Sequence, residues 1–360
     1  MNTFGNIFRL TTAGESHGPA LTGIIDGMPA GVLIDSESID RFLAKRAPGQ
    51  ASRLTSPRKE KDHVRILSGV YNGVTTGTSI GFIIDNTDCR PDDYEYLRHA
   101  FRPSHADYTY TAKYGVRDHR GGGRASARET ATRIVGGAFA MAALHQLGIS
   151  ICAFSSQIGN VKLLKPFDDL TLDESVYEAS MYCPDPETNK RMETVIRRTR
   201  DAGDTVGGIV TCVINGLPAG IGEPIYGKFQ SMLASAIMSI NAVKGFDYGM
   251  GFDGVNRLGS EINDQFALDK KGHITTLTNH SGGIQGGITN GRPVVFRAAF
   301  KPIATLMRDV HSIDDQGNPV ILPAHGRHDV CALPRAVPVV NSMAAIATLD
   351  AILLNRCSHI

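Results

Sequence analysis

The sequence has almost no excess of charge of either sign. Its 360 residues include 37 lysines and arginines against 36 aspartates and glutamates, which gives a formal net charge of +1. A chain this close to neutral has no broad electrostatic field that would attract nucleic acid or an anionic membrane surface. Any anion site must therefore be built from local clusters of arginine.

Cysteine is also sparse, and its spacing excludes the common zinc sites. The six cysteines are scattered, with no CxxC pair, whereas structural zinc sites use closely spaced cysteines and histidines. The HExxH and EF-hand spacings are missing too. We therefore expect free thiols and no bound metal ion.

Export and membrane signals are missing as well. The stretch from Met1 to Leu10 has no basic region followed by an apolar run, which a secretory signal would have. The apolar run from Ile134 to Leu147 is shorter than the ~20 residues that span a bilayer, and it contains His145. We expect a soluble, cytoplasmic protein with neither a membrane nor a nucleic acid as its partner.

What the sequence does contain is internal similarity. Residues 25–31 read IDGMPAG and residues 214–220 read INGLPAG, each after a β-type apolar run. A second pair follows in the same order, GVTTG at 73–77 and GITNG at 287–291. Two ordered matches indicate an internal duplication within a single domain spanning residues 1–360. The halves would cover about 1–160 and 205–360, with a charged insertion at about 162–205.

Both halves show the patterns of helices and strands. Asp35 or Ser36 can cap a helix whose apolar residues recur at helical spacing. A long alanine-rich helix is predicted from near Arg124 to Gly148, and further helices at 229–240 and 341–354. Strands mixed with helices around an internal two-fold predict an α+β layered body, with a site between the halves.

Two histidines lie in motifs that suit proton transfer. His17 stands in GESHG at 14–18, where flanking glycines free the backbone to present it to a ligand. Ser16 is not expected to be a nucleophile, because a hydrolase elbow leads into a helix and here a strand is predicted. His105 stands in RPSHAD at 102–107 and can titrate near neutral pH. The alternative is a tight hairpin and a surface loop with incidental histidines.

The densest basic motif surrounds three consecutive glycines. The segment from Arg117 to Arg128 includes RGGGR at 120–124 and leads into the predicted long helix. Free backbone N–H groups and the helix dipole at that point favour a phosphate or carboxylate. It is neither a P-loop nor a dinucleotide fingerprint. A flexible turn with solvated arginines is the alternative.

Two further polar stretches are less specific. In GRHD at 326–329, Arg327 and Asp329 are candidates for a site or for a local ion pair. The basic loop around Arg53 is equally typical of a solvated face. From the residues alone, a phosphate-ester enzyme such as a kinase or phosphatase stays open, although the P-loop is missing. An RNA-binding protein also stays open, although the charge is nearly neutral.

Taken together, the motifs resemble the chorismate synthase family along nearly the whole chain. GESHG and RPSHAD are similar to its two histidine motifs, and RGGGRASARET at 120–130 to its arginine-glycine signature. SINAVKGF at 239–246, GGIQGG at 282–287, FKP at 300–302 and GRHD follow in order. The resemblance implies a β-α-β sandwich with internal pseudo-two-fold symmetry, assembled as a homotetramer.

The activity that the resemblance implies is that of a carbon–oxygen lyase. It would eliminate phosphate from 5-enolpyruvylshikimate 3-phosphate to give chorismate, the last common step toward the aromatic amino acids. Reduced FMN would be required but not consumed, and NADPH is a possible reductant. The substrate carries one phosphate and two carboxylates, which would explain the clustered arginines.

The resemblance also carries roles onto individual residues. His17 would supply a proton toward the leaving phosphate, His105 would donate to the flavin, and Asp329 would be the ultimate base. Arg46, Arg53 and Arg128 match positions assigned to substrate or NADPH. The flavin contacts would be Arg124, Ala125, Ser126, Asn241, Ala242, Gly286, Lys301, Pro302, Ile303, Ala304, Thr305 and Arg327.

The chain departs from the common family pattern at three positions. Ile303 stands where threonine is frequent, Val330 where proline is usual and Asn341 where glutamate is usual. The first change removes a hydroxyl that could contact the flavin.

Overall fold

Two five-stranded sheets with a layer of helices between them form the body of the protein. The computed structural model describes residues 1–47, 62–87, 91–324 and 329–358. The helices are α1 (Ser36–Arg46), α2 (Asp107–Tyr114), α3 (Thr130–Gln146), α4 (Pro186–Asp201), α5 (Phe229–Met238), α6 (Gly259–Ile262) and α7 (Leu333–Asn355).

The strands are mostly short, and the longest lie in the two large sheets. They are β1 (Thr3–Phe4), β2 (Arg9–Ala13), β3 (Ala20–Asp26), β4 (Val64–Ile66), β5 (Val70–Tyr71), β6 (Val74–Thr75), β7 (Ile80–Asp85), β8 (Ser150–Ile158), β9 (Val161–Lys162), β10 (Gly208–Asn215), β11 (Ala219–Gly222), β12 (Val243–Tyr248), β13 (Phe266–Leu268), β14 (Ile274–Thr276), β15 (Ile284–Gln285), β16 (Ile288–Asn290), β17 (Val294–Phe300), β18 (Val310–Ile313) and β19 (Pro319–Leu322).

Both large sheets are antiparallel, with one face on the helices. The first has the strand order β1-β2-β3-β7-β4 and the second β12-β17-β10-β8-β9. Along β17 buried and half-buried residues alternate, so Val294, Phe296 and Ala298 point into the core. Gly208 at the start of β10 is opposite Phe300 at the end of β17. The predicted α+β fold class is confirmed.

Helices α3 and α7 lie side by side between the sheets. Every residue of α7 from Leu333 to Leu353 is buried except Arg335. By length and composition α7 is apolar enough to cross a membrane, but 94% of an 18-residue apolar stretch within it is buried inside the protein. This 23-residue helix is longer than the apolar run from Ile134 to Leu147 and was not predicted as a candidate span. Its burial is typical of the core helix of a soluble protein.

A carboxylate on α7 holds the N-terminal segment in place. Asp350 is 1% exposed and accepts hydrogen bonds from the backbone N–H groups of Asn6, Ile7 and Phe8 and from the Asn6 side chain, at 2.7 to 3.1 Å. These charge-assisted bonds satisfy N–H groups that precede β2 and have been withdrawn from water.

Replacing Asp350 with alanine is therefore expected to lower the free energy of unfolding by about 3 kcal/mol, because one buried and two part-buried backbone N–H groups lose their acceptor. Denaturant unfolding of the purified variant measures this. Asp350→Asn is the matched control, since one amide oxygen can still accept, and its loss should be smaller. Equal losses in both variants would contradict the role of the carboxylate.

The two similar segments found in the sequence make the same hydrogen bonds. In the first, the Thr75 hydroxyl donates to Pro29 O at 2.7 Å and accepts from Val32 N at 2.9 Å. In the second, the Thr289 hydroxyl donates to Pro218 O at 2.7 Å and accepts from Ile221 N at 2.9 Å. An internal duplication would produce this equivalence; the duplication of the whole halves stays a prediction.

Two helix starts differ from the prediction. The long helix α3 begins at Thr130 and not near Arg124, because the backbone first makes two 3-10 turns separated by the extended residue Ser126. The last helix, α7, begins at Leu333 and not at Asn341. Prolines led to that error: Pro334 sits in the first turn, where its missing N–H is not needed, and Pro338 is tolerated inside the helix.

The charged segment at 162–205 is embedded more deeply than its composition indicates. Its helix α4 begins at Pro186 behind an Asp185 cap, and buries Met192 and Ile196. Tyr182 is 1% exposed, and its hydroxyl donates to Lys45 O at the end of α1 at 2.8 Å. The segment therefore contributes to the core.

Candidate active site

A cavity of about 390 Å³ lies where α3 and α7 begin and β17 ends. That volume is within the range of about 300–1,000 Å³ that is usual for ligand sites. Its walls come from both halves of the chain. The predicted site residues that line it are His17, His105, Ala125, Ser126, Arg128, Asn241, Ala242, Lys301, Ile303, Ala304, Thr305 and Asp329.

The remaining predicted residues are not in this lining. Arg53 and Arg327 fall outside the described residues. Pro302 is flanked by lining residues without being one, and Gly286 lies in the turn between β15 and β16. Arg46 and Arg124 lie behind the wall, where they bind other groups of the protein.

Arg124 fastens the GESHG loop to the end of β2. Its guanidinium donates to Gly14 O and Thr12 O, both at 3.2 Å, and to the Thr12 hydroxyl at 2.6 Å. The glycines before it are not at the start of α3, so the predicted anion site at a glycine-opened helix is wrong in that detail. It is Thr130, the first residue of α3, that faces the cavity.

Arg46 and Arg128 share one buried carboxylate. Arg128 donates to Asp62 at 2.7 Å and, through Nε, to Asn86 Oδ1 at 2.8 Å. Arg46, 1% exposed, donates to the same Asp62 at 3.1 Å. The resemblance assigned Arg46 to substrate or NADPH, but its side chain is buried behind Arg128 and supports it. Arg128 is the member of the pair that reaches the cavity.

His105 is held by a buried cluster of charges. Its Nδ1 is 2.9 Å from Asp107 Oδ1. The Arg102 guanidinium donates a hydrogen bond to each oxygen of that carboxylate, both at 2.8 Å. Arg117 Nη1 is also 3.0 Å from Asp107. Burial raises the pKa of Asp107, but the hydrogen bonds and charges of Arg102 and His105 outweigh it and hold that pKa well below its ordinary value.

The ionised carboxylate fixes the tautomer of His105. Because ionised Asp107 only accepts hydrogen bonds, Nδ1 of His105 must be the donor. The other ring nitrogen, Nε2, is then the atom that can exchange a proton in the cavity. Arg102 and Asp107 were part of the quoted motif but were not predicted as site residues, although their opposite charges five residues apart could have indicated an ion pair.

His17 and Asp329 approach the cavity from opposite ends of the chain. The ring of His17 lies 4.9 Å from that of Tyr94, which also lines the cavity. Asp329 accepts a hydrogen bond from Arg335 at 2.9 Å, and Arg335 also donates to Arg46 O at 3.2 Å. Sequence reasoning missed Tyr94 and Arg335, because neither belongs to a motif with a recognisable spacing.

The wall formed by the second half carries polar groups on a strained backbone. Asn241 donates to Ala125 O at 2.8 Å, and its buried Oδ1 has no donor among the described residues. Ala242 has a φ of +69°, and its carbonyl accepts from Lys301 N at 3.0 Å. Lys301 Nζ donates to Ser104 O at 3.2 Å. Desolvation and then the charge of Lys244 lower the pKa of Lys301.

Comparison with known proteins assigns this arrangement to a family. The family model described as chorismate synthase matches residues 8–353. The chain belongs to the chorismate synthase family. A chorismate synthase of Parabacteroides distasonis is 54% identical over 357 residues, covering 99% of each chain. One of Bacteroides fragilis is 53% identical over 359 residues, covering 100% of this chain and 99% of its own.

The family assignment extends to the fold. A crystal structure of a chorismate synthase superposes with a TM-score of 0.78 at 32% sequence identity, covering 97% of this chain and 93% of that one. The resemblance seen in the sequence motifs is thereby confirmed. Of the three departures from the family pattern, Ile303 lines the cavity. Asn341 is a core residue whose Oδ1 accepts from Ala153 N at 3.1 Å, and Val330 O accepts from Val206 N.

Proposed function

We propose that this cavity eliminates phosphate from 5-enolpyruvylshikimate 3-phosphate to form chorismate, with reduced FMN as cofactor. The observation that carries the proposal is the meeting of His17, His105 and Asp329 in one cavity with the polar wall around Asn241. These are the groups that the motifs had associated with proton transfer and with flavin. These residues are as far apart in the sequence as positions 17 and 329, so it is the fold that brings them together.

The residues present fit a flavin at the second-half wall. Asn241 Oδ1 is a buried acceptor with no donor among the described residues. The imide N–H of a flavin ring needs such an acceptor when it is buried. Around it we assign flavin contacts to Ala125, Ser126, Ala242, Lys301, Ile303, Ala304 and Thr305. Reduced FMN, when bound, would supply electron density to the elimination and take it back, leaving no net oxidation.

The substrate trianion would lie against the cationic side of the cavity. Arg102, Arg128, Lys301 and Arg335 all line it, and Lys301 forms no ion pair with a described carboxylate. In a site shielded from water such cations stabilise the charge that develops on a departing phosphate. Arg46 and Arg124 are assigned an indirect role, holding Arg128 and the GESHG loop in place. Arg53, Arg327, Pro302 and Gly286 stay predictions from the resemblance.

Three side chains are assigned to proton movement. His17 would give a proton toward the leaving phosphate, and His105 would exchange one at Nε2 because Asp107 occupies Nδ1. Asp329 would accept the proton lost from the substrate, with Arg335 stabilising its ionised form. We further propose that the protein is cytoplasmic and homotetrameric, and that NADPH can be the source of reducing equivalents.

An anaerobic assay with chemically reduced FMN tests the proposed function. With dithionite-reduced FMN the enzyme is expected to form chorismate over many turnovers, and with oxidised FMN alone to form none, because the elimination needs the electron density of the reduced ring. Chorismate is measured by its absorbance after separation, and the FMN redox state by its visible spectrum.

The same assay distinguishes the competing functions. Oxidation of one FMN per chorismate would contradict a lyase, and no chorismate with reduced FMN would reject the proposal. Release of phosphate without FMN would indicate a phosphatase. Tight FMN binding that depends on the substrate would support the proposed site, whereas binding without it would not discriminate.

A further inference from the structure

The glycines Gly121, Gly122 and Gly123 lie against both histidine motifs. Their φ angles are +72°, +114° and +52°, in a region that L side chains rarely adopt. A Cβ on Gly121 would overlap Cδ2 of His17 and lie 2.5 Å from its Nε2, and a Cβ on Gly122 would lie 3.0 Å from Cε1 and 3.3 Å from Nε2 of His105. Each of these two glycines therefore faces the Nε2 edge of a different histidine.

The run is also fixed to the loop that carries His17. A Cβ on Gly123 would lie 2.5 Å from Glu15 Oε2, and the Ser16 hydroxyl donates to Arg120 O at 3.4 Å. The backbone thus passes between the His17 loop and the His105 cluster with no space for side chains.

The nearest atoms that a new side chain would meet belong to imidazole rings, followed by the Ser16 hydroxyl at 3.0 Å from the Gly121 Cβ position and Arg102 Nη2 at 3.6 Å from that of Gly122. A ring at the end of a side chain can turn away, whereas backbone cannot. A methyl group at Gly121 or Gly122 would therefore displace a histidine and leave the fold in place. A misplacement of about 1 Å in a catalytic arrangement can lower the rate by about 10²-fold.

We propose that Gly121 and Gly122 are positioning residues, which set where Nε2 of His17 and Nε2 of His105 lie in the cavity. The loss of turnover that we expect from this inference rests on the proposed function. The ring positions themselves do not depend on it. The inference also gives the glycine run a purpose other than the anion binding that its sequence indicates.

The kinetic test compares Gly121→Ala and Gly122→Ala with a matched control. Gly148, after α3, has a φ of +74° and no atom within 4 Å of its Cβ position, so Gly148→Ala introduces a backbone strain like that at Gly121, where φ is +72°, without a neighbouring ring. The first two variants are expected to lose about 10²-fold in kcat, and Gly148→Ala to keep near-native turnover. Equal kcat in all three variants would overturn the proposal.

A second readout needs no turnover. In the ligand-free protein labelled with ¹³C at histidine Cε1, Gly121→Ala should move the NMR signal of His17 and leave that of His105 unchanged. Gly122→Ala should do the reverse, and Gly148→Ala should move neither. The signals are assigned with His17→Gln and His105→Gln.

Unmoved histidine signals in both variants would overturn the inference, as would equal shifts of both histidines in either one. If Gly121→Ala does not fold, Gly122→Ala decides, because its contacts of 3.0 Å or more are milder. If the wild type forms no chorismate, the proposed function fails while the NMR result still decides the positioning role.

Discussion

Replacing His105 with alanine is expected to lower turnover by about 10² to 10⁴-fold while the protein stays folded, because a positioned proton donor contributes on that scale. The same loss is expected for His17→Ala. Turnover is measured at saturating substrate and reduced FMN, and thermal unfolding is recorded for each variant.

The matched control for this experiment is His99→Ala. Like His105, His99 forms a hydrogen bond between its Nδ1 and a carboxylate, that of Asp315, at 2.8 Å, but it does not line the cavity. Near-native turnover is therefore expected for the control. A parallel loss of activity and thermal stability in His105→Ala would mark that histidine as structural.

The pH dependence of this site follows from the direction of the Asp107 shift. A carboxylate with a lowered folded-state pKa contributes stability above its ordinary pKa, near 4, and loses it only as pH falls through the folded-state value. Because that value lies well below the ordinary one, Asp107 stays ionised from neutral pH to about pH 4. A loss of activity in this window therefore reports on groups other than Asp107.

The second large effect is expected at Asp329. As a base it must ionise, so Asp329→Asn should lose about 10² to 10⁴-fold in turnover, almost as much as Asp329→Ala. As no more than a partner of Arg335 it would tolerate asparagine, whose amide oxygen still accepts a hydrogen bond. The measurement is kcat at saturating reduced FMN and substrate, with FMN affinity determined separately.

Arg335→Gln completes this comparison. If the ion pair were the whole role of Asp329, removing either partner would cost the same turnover. Because Arg335 also lines the cavity and is assigned to the substrate, the KM of Arg335→Gln is determined separately, and a base predicts a larger loss of kcat in Asp329→Asn than in Arg335→Gln. Near-native turnover in Asp329→Asn would remove this carboxylate from the mechanism and leave the elimination itself in place.

Features with local physical causes were predictable from the sequence. Asp35 accepts from Glu37 N as a helix cap, and β3 follows GESHG as expected. His17 and His105 were singled out because their motifs are short and chemically distinctive, and both line the cavity, while their roles stay predictions. The duplicated turns were visible because a Pro-Ala-Gly turn has few sequence solutions.

What the sequence could not give depends on contacts between distant residues. Nothing near Arg46 in the chain indicates that Asp62 and the core would bury it. The glycine run has the composition of an anion loop, and only the two imidazoles packed on it reveal another purpose. In α7, Pro334 occupies the first turn, where its missing N–H is not needed, whereas Pro338 lies inside a helix that the rest of the protein buries.

The burial of α7 between the two sheets has a consequence for synthesis. The N-terminal segment is bound to Asp350, 344 positions later, and the cavity wall includes residues from His17 to Val339. On the ribosome, the backbone N–H groups of residues 6–8 therefore have no carboxylate acceptor until almost the whole chain has been made. Contacts of such long sequence separation form slowly, so a chain that ends before α7 lacks both its N-terminal anchor and one wall of the cavity.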